Sequence, residues 1–304
     1  METNRKLDAT QEIAAIVVTF NRKNLLVYCL EGLLSQTMPI SRIYLVDNSS
    51  TDGTKDLLLE KGFLSNPKIE YIPLTENIGG AGGFHEGLKN AIHGKHSWFW
   101  FLDDDVSPFP DCLERLLELK DISGCIHPLV TYEDGRSHEW EHHFDPMTTA
   151  QTSLKNASFK NGKSWCSINV ACFEGMLISK EIVDKIGLPD KEFFISGDDG
   201  LYGFLANQFT NVIYTNSGKL LKKIHPAKHI GAFKIYYDLR NRFLLRKKIG
   251  EIAPQTKIYK VTFYIFVLER AFRMLRYSWS KQNVLAVFFA IYDGLRGITG
   301  RKRY

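Results

Sequence analysis

The chain has 304 residues, 44% hydrophobic and 24% charged, with a formal net charge of +5. That size suits one large catalytic domain with an appendage or two modest domains, and the composition excludes a disordered or fibrous chain. Its five cysteines, Cys29, Cys112, Cys125, Cys166 and Cys172, show no short paired spacing; this argues against a zinc or dithiol motif and reads as reduced, mostly buried thiols of a cytosolic protein.

The opening "METNRKLDATQE" is polar and lacks the apolar core of a signal peptide, so secretion is not expected. "IAAIVVTF" from Ile13 is a continuous β-branched run without polar alternation, as in a strand buried on both faces. The turn "NRKN" and the helical pattern "LLVYCLEGLLSQ" follow, then a strand "RIYLVDN" and the loop "NSSTDGT", suited to capping the next helix. "KIEYIPL" and "WFWFL" are a third and a fourth strand. Strands alternating with helices predict a parallel α/β sheet, whose ligands bind outside the carboxyl ends of the strands. Thr19, Asn21, Asp47, Asn77 and the run Asp103, Asp104, Asp105 all fall at those ends.

Beyond the triplet, "PDCLERLLELK" reads as a helix with Pro110 near its start, and "GCIHPLVT" as a strand. Tyr132 to Lys163 is polar and weakly patterned, a long loop or β-excursion over the site. "WCSINVACFEGMLISKEIVDKIGLP" resumes strand and helix character, and "FFISGDDGLYGFLANQ" sets two aspartates just before a helix. "KLLKKIHPAKHIGAFKIYYDLRNRFLLRKK" opens a basic tail: from Lys234 on there are 16 Lys and Arg against 4 Asp and Glu, a balance of +12 that leaves −7 for residues 1–233. Such polarity suits a tail that faces an anionic surface, or a solvated helical appendage. No run reaches the roughly 18 apolar residues of a membrane-spanning helix.

Three motifs carry chemistry. "NIGGAGGFHEGLKNA" places four glycines after a strand and at a helix opening, where N–H groups meet an anion or where a turn and helix packing demand them; it matches neither a Walker A nor a clean G-x-G-x-x-G pattern. Helix capping accounts for one carboxylate of the Asp103–Asp105 run and not three, whereas carboxylates at i and i+2 on a loop leaving a strand suit a shared Mn²⁺ or Mg²⁺ that neutralises a diphosphate. Asp198 and Asp199 read equally as a helix N-terminus and as a general base for an acceptor hydroxyl. His225 and His229 sit where a strand gives way to a loop and are candidate nitrogen ligands.

Taken in order and spacing, "VTFNR", "LVDNSSTDGT", "NIGGAGGF", the aspartate triplet, "FFISGDD" and "H…YYDLRNR" resemble the inverting family 2 glycosyltransferases of GT-A fold, and within them the bacterial galactofuranosyl- and rhamnosyltransferase branch. The resemblance covers nearly the whole chain. It implies a Rossmann-like, mostly parallel sheet flanked by helices over residues 1–233; for the helical, basic region over 234–304, the charge and the short apolar runs "VTFYIFVL" and "VLAVFFAIY" suit association with a membrane surface or packing on the catalytic domain or a second subunit. Thr19, Asn21, Arg22 and Asp47 would frame the base and ribose of the donor, and the loop with Asn77, Gly79, Gly80, Gly82 and Gly83 would lie along its diphosphate. Asp105 would be the direct metal ligand and Asp103 would be shared with the ribose beside Asp104, with His225 or else His229 adding the metal's nitrogen ligand. Asp199 would be the base and Asp198 would bond the acceptor sugar. Gly197 departs from the branch, which often has Trp before that pair.

The implied activity is metal-dependent transfer, with inversion, of galactofuranose from UDP-galactofuranose, or rhamnose from dTDP-rhamnose, to a hydroxyl of a growing lipid-linked glycan. The expected setting is the cytoplasm, on the inner face of the cell membrane, without nucleic acid and with a homo-oligomer left open. The rivals are a non-catalytic nucleotide-sugar or nucleic-acid binding protein and a sugar nucleotidyltransferase. The second would show a Gly-rich loop right after the first strand, and "TFNRKN" has no glycine.

Overall fold

A computed structural model describes residues 12–138, 141–153, 159, 162–225, 230–252 and 257–302. The first half alternates as the sequence pattern predicts: β1 (Ile13–Thr19), α1 (Lys23–Leu34), β2 (Arg42–Asp47), α2 (Thr54–Glu60), β3 (Ile69–Pro73), α3 (Gly79–Ala91) and β4 (Trp98–Asp103). The four strands pair in parallel in the order β3-β2-β1-β4. Successive connections therefore leave β1 toward opposite sides, and a crevice opens beyond the carboxyl ends of β1 and β4.

The unbroken apolar runs follow from burial on both faces. Ile13, Ala15 and Val17 of β1 join Trp98, Trp100 and Leu102 of β4 in a core with α1. Ala14, Ile16 and Val18 join Phe99 and Phe101 in a second core on the opposite face with α3. Strict side-chain alternation thus divides each strand between two apolar layers.

The second half continues with β5 (Val106–Pro108), α4 (Cys112–Leu117), β6 (Cys125–Tyr132), β7 (Glu141–Asp145), β8 (Ala150–Ser153), β9 (Trp165–Ser167), β10 (Leu177–Ser179), α5 (Lys180–Ile186), α6 (Asp198–Ala206) and β11 (Ile213–Lys222). Among the described residues the sheet extends as β4-β10-β6-β11-β5, with β9 on β11. β10 runs antiparallel to β4 and β6, so the sheet is mixed on this side. The excursion expected over 132–163 contains an antiparallel hairpin, β7–β8. The described cysteines are all free, and Cys166 alone among them is only half-buried.

Three helices close the chain: α7 (Ala232–Ile252), α8 (Lys257–Tyr277) and α9 (Lys281–Leu295). They enclose a core of their own that includes Ile235, Leu239, Phe263, Val267, Ala271 and Ala290, and Phe194 from the main body enters it. Phe194 also meets α3. Gly79 holds φ at +80°, and a Cβ there would lie 1.9 Å from the Phe194 carbonyl oxygen. The Ala81 N–H donates to that same oxygen at 3.1 Å. Only glycine permits both the left-handed backbone and this approach. Gly79→Ala is therefore expected to cost about 2–4 kcal/mol in urea unfolding through clash and backbone strain; an unchanged midpoint would refute the contact's importance.

Candidate active site

The aspartate triplet leaves β4 in a tight turn and enters β5, so no helix follows for it to cap. Asp104 accepts from Thr19 Oγ1 at 2.7 Å and from the Arg22 guanidinium at 3.2 Å. Asp105 accepts from Arg22 at 3.3 Å and from Lys222 Nζ at 3.2 Å. Pairing of Val106 with Lys222 between β5 and β11 brings that lysine to the turn. The same ammonium group bonds Glu174 at 2.7 Å.

Glu174 had no sequence signal beyond a lone acid in the apolar stretch "VACFEGMLIS". Its position is set by β4. The Gly175 N–H donates to the Phe101 carbonyl at 2.9 Å, and the Trp100 indole donates to the Gly175 carbonyl at 3.0 Å. Asp103, Asp105 and Glu174 each present an oxygen within 4.8 Å of the others. Glu174 Oε1 is buried without a hydrogen-bond partner. A set of hard oxygen donors with one buried acceptor left open fits a Mg²⁺- or Mn²⁺-sized cation.

Burial pushes the Asp103 carboxyl well up, and Asp105 and Glu174 push it further. Burial also lifts Asp104 to about 6, against the opposing pull of Arg22 and Thr19. Glu174 is raised, again chiefly by burial. Burial works against the charge of Lys222, yet Glu174 and Asp105 outweigh it and hold the ammonium protonated above its ordinary range.

The second acidic group opens α6. Asp198 and Asp199 are the first two residues of the helix rather than its preceding loop, and Gly197 caps it with φ at 93°. The approach is strained, with φ of 66° at Phe194 and 68° at Ser196. Two residues of "YYDLRN" brace it. The Asn241 amide donates to the carbonyls of Phe193, Ile195 and Ser196 at 3.1, 2.7 and 2.6 Å. Buried Arg240 donates to Phe193 at 3.0 Å. Asp199 accepts the Gly200 N–H at 2.7 Å. Burial raises the carboxyl of Asp198, with Asp199 adding to it, and burial raises Asp199 against the opposing backbone N–H groups of Gly200 and Gly197.

Both acidic groups face one cavity of about 790 Å³. Of the sequence-predicted residues it gathers Thr19, Arg22, Asn77, Gly79, Gly80, the aspartate triplet, Asp198 and Asp199. Others stand outside its lining. Asp47 has both oxygens engaged, by the Ser50 N–H at 2.8 Å and Tyr71 Oη at 2.7 Å, and its neighbour Asn48 reaches the cavity instead. Asn21 accepts from the Thr51 N–H at 2.7 Å. Gly82 and Gly83 lie within α3, packed on Ile78 and Val18. His225 stacks on Tyr132 with ring centroids 4.4 Å apart, apart from the acidic oxygens. His229 lies outside the described residues.

A mixed α/β sheet with a carboxylate-lined cavity at the ends of β1 and β4 has the architecture of a GT-A glycosyltransferase. Solved structures share it: S. aureus TarS 1–349 in complex with UDP-GlcNAc superposes with a TM-score of 0.59 at 16% identity, covering 95% of this chain and 82% of that one. GalNAc-T7 with UDP, GalNAc and Mn²⁺ gives 0.58 at 14%, covering 88% and 57%. The model of glycosyl transferase family 2 matches residues 14–187, and the chain belongs to that family. It is 27% identical over 210 residues to galactofuranosyltransferase GlfT1 of Mycolicibacterium smegmatis, covering 62% of this chain and 63% of that protein, a little under two thirds of the relative's length. It is 25% identical over 309 residues to dTDP-rhamnosyl transferase RfbF of Shigella flexneri, covering 96% of this chain and 98% of that protein. The family match favours neither rival, the nucleotidyltransferase or the non-catalytic binding protein.

If the three carboxylates hold a divalent cation, Mn²⁺ at a hundredfold excess over its dissociation constant should stabilise the protein by about 2.7 kcal/mol. Asp105→Asn and Glu174→Gln should each abolish that gain in a thermal melt, and Asp105→Ala should abolish transfer. A Mn²⁺-induced shift of full size in both carboxamide variants would place the cation elsewhere.

Proposed function

We propose that the protein is an inverting transferase that moves a sugar from a nucleoside diphosphate donor to a glycan hydroxyl in one displacement. The observation that carries this reading is the meeting of two acidic groups at one cavity, Asp103, Asp105 and Glu174 beside the end of β4 and Asp198 with Asp199 at the start of α6. The acceptor oxygen attacks the anomeric carbon while the bond to the diphosphate oxygen breaks on the opposite side, and the acceptor's proton passes to Asp199. Asp198 holds the acceptor sugar. A divalent cation on Asp103, Asp105 and Glu174 would offset the charge gathering on the departing diphosphate. Thr19, Arg22 and Asn48 frame the nucleoside, and the backbone at Gly80 lies along the phosphates, the Gly79 N–H being taken by Asn77 Oδ1 at 2.8 Å.

The names of the relatives favour galactofuranose from UDP-galactofuranose as the transferred sugar, with rhamnose from dTDP-rhamnose second. Hydrolysis across a panel of nucleotide sugars in Mn²⁺ tests the choice. Asp199→Asn is expected to lose nearly all turnover and keep donor affinity, because a base acts on the acceptor. A base must be deprotonated, and this one is raised by burial. The acid limb of kcat/KM should therefore lie above the ordinary carboxylate range of about 4. A greater loss of turnover in Asp198→Asn would exchange the two roles.

We further propose that residues 234–304 dock the enzyme on the cytoplasmic face of a membrane that carries a lipid-linked acceptor. No described helix is long and apolar enough to cross a membrane. Yet α8 buries Phe263, Val267, Ala271 and Met274 while a second apolar stripe, Val261, Ile265, Leu268 and Phe272, is 60–68% exposed. α9 adds Phe288 and Leu295, and Tyr277 and Trp279 are more than three-quarters exposed between the helices. Lys260, Arg273, Arg276 and Lys281 lie among them. Apolar stripes edged with basic and aromatic residues suit the headgroup boundary of an anionic leaflet. Leu268→Ser with Phe272→Ser should abolish flotation with anionic vesicles and spare the buried stripe. Flotation that persists in this variant would refute the docking, and a salt-resistant dimer lost in the same variant would assign the stripes to a second copy.

A further inference from the structure

The cavity has a wall that comes from the end of the described chain. Beyond α9 the backbone turns at Gly297 and Gly300, both with positive φ, and runs back to the active site. Arg301 and Lys302 line the same cavity as the aspartate triplet and Asp199. Neither residue is near the others in sequence, and the basic character of the tail gives no hint that its last described residues reach the site.

This segment is tied down one residue after another. Arg240 donates to the carbonyls of Ile298 and Gly300 at 3.1 and 3.0 Å with the same guanidinium that holds Phe193. The Gly300 N–H donates to the Glu192 carbonyl at 2.6 Å. The Lys302 N–H donates to Tyr237 Oη at 2.9 Å, and the Lys302 ammonium stacks over Tyr236 and Phe289 at 4.3 and 4.4 Å. Between these anchors the exposed Arg301 guanidinium stands 3.5 Å from the Asn77 carbonyl, at the glycine-rich opening of α3.

Charge decides what the arginine is for. Six carboxyl groups line the cavity, against the cationic side chains of Arg22, Arg301 and Lys302. Arg22 is already paired with Asp104 and Asp105, and Lys302 lies on aromatic rings. Arg301 has no carboxylate within ion-pair distance among the described residues. A planar guanidinium at the positive end of a helix matches phosphate oxygens in geometry and in charge.

We propose that the C-terminal segment 298–302 is part of the donor site and that Arg301 binds the diphosphate of the nucleotide sugar and of the departing nucleotide. The proposal rests on the donor reading above and adds to it a binding residue from outside the family-matched region, residues 14–187. Arg240 becomes a positioning residue that fixes the strap and the base loop together.

The test is calorimetric binding of UDP, dTDP, uridine and thymidine to the full chain in Mn²⁺, for wild type, Arg301→Ala, Arg301→Lys and Arg296→Ala. Arg301→Ala should weaken the preferred diphosphate about ten- to hundredfold, as for one charged hydrogen-bonded contact, with nucleoside affinity and melting temperature unchanged. Arg301→Lys should recover part of the loss, and Arg296→Ala, at the exposed C-cap of α9 and outside the cavity lining, should bind as wild type does. If wild type binds either diphosphate and Arg301→Ala binds it equally well, the tail inference falls and the donor reading stands. If Arg301→Ala weakens the nucleoside as much as the diphosphate, the tail acts through the fold and the inference falls. If wild type binds neither diphosphate, both readings fall.

Discussion

The structure is organised around the difficulty of holding six carboxyl groups against one cavity. Each loses hydration on burial, and like charges at this range repel in a medium far less polar than water. The protein offsets part of the load with cations fixed by backbone pairing. Lys222 is set between Asp105 and Glu174 by the β5–β11 register, and Arg22 closes on Asp104 and Asp105 from the turn after β1. Burial still raises Asp103, Asp104 and Glu174 despite those partners. A site left in that condition favours binding of positive charge.

The same constraint explains the strained loop ahead of α6. Carboxylates at a helix N-terminus gain from its dipole, but pointing Asp199 at the cavity demands positive φ at Phe194, Ser196 and Gly197. Non-glycine residues hold such backbone only where the surroundings over-determine it. Here α3 grips the Phe194 carbonyl through Ala81, and Asn241 and Arg240 of α7 grip the carbonyls on either side. Replacing Asn241 would leave the Ile195 and Ser196 carbonyls without that donor, whereas the Phe193 carbonyl is held by Arg240 as well.

Sequence reading reached what is local. The burial of β1 and β4 on both faces was legible because period-two alternation is absent from "IAAIVVTF" and "WFWFL", and the triplet stood out because three adjacent acids after such a strand need water or a cation beside them. Glu174 was not. Its place depends on an indole–carbonyl bond spanning 75 positions, and that of Lys222 on a strand pairing that reaches Asp105 across 117. "YYDLRN" was recognisable as a motif, but its role as a clamp on distant carbonyls appears only when α7 is packed against the loop. Asp47 shows the reverse case: a polar residue at a strand end, as the pattern demands, whose oxygens are taken by Ser50 and Tyr71.

α7 is where these requirements meet. Its Arg240 and Asn241 hold the loop ahead of α6, while Asp238, one turn earlier, pairs with Arg270 of α8 at 2.6 and 2.8 Å and with Arg242. Asp238 stays below the usual carboxylate range although burial pushes it up, because the two arginines outweigh that cost. Such an enclosed pair contributes little net stability, since each charge gives up hydration to form it. What it supplies is geometry, because a bidentate arginine–carboxylate contact tolerates little rotation. Through α7 the placement of α8 is thereby tied to the loop that precedes the carboxylates of α6.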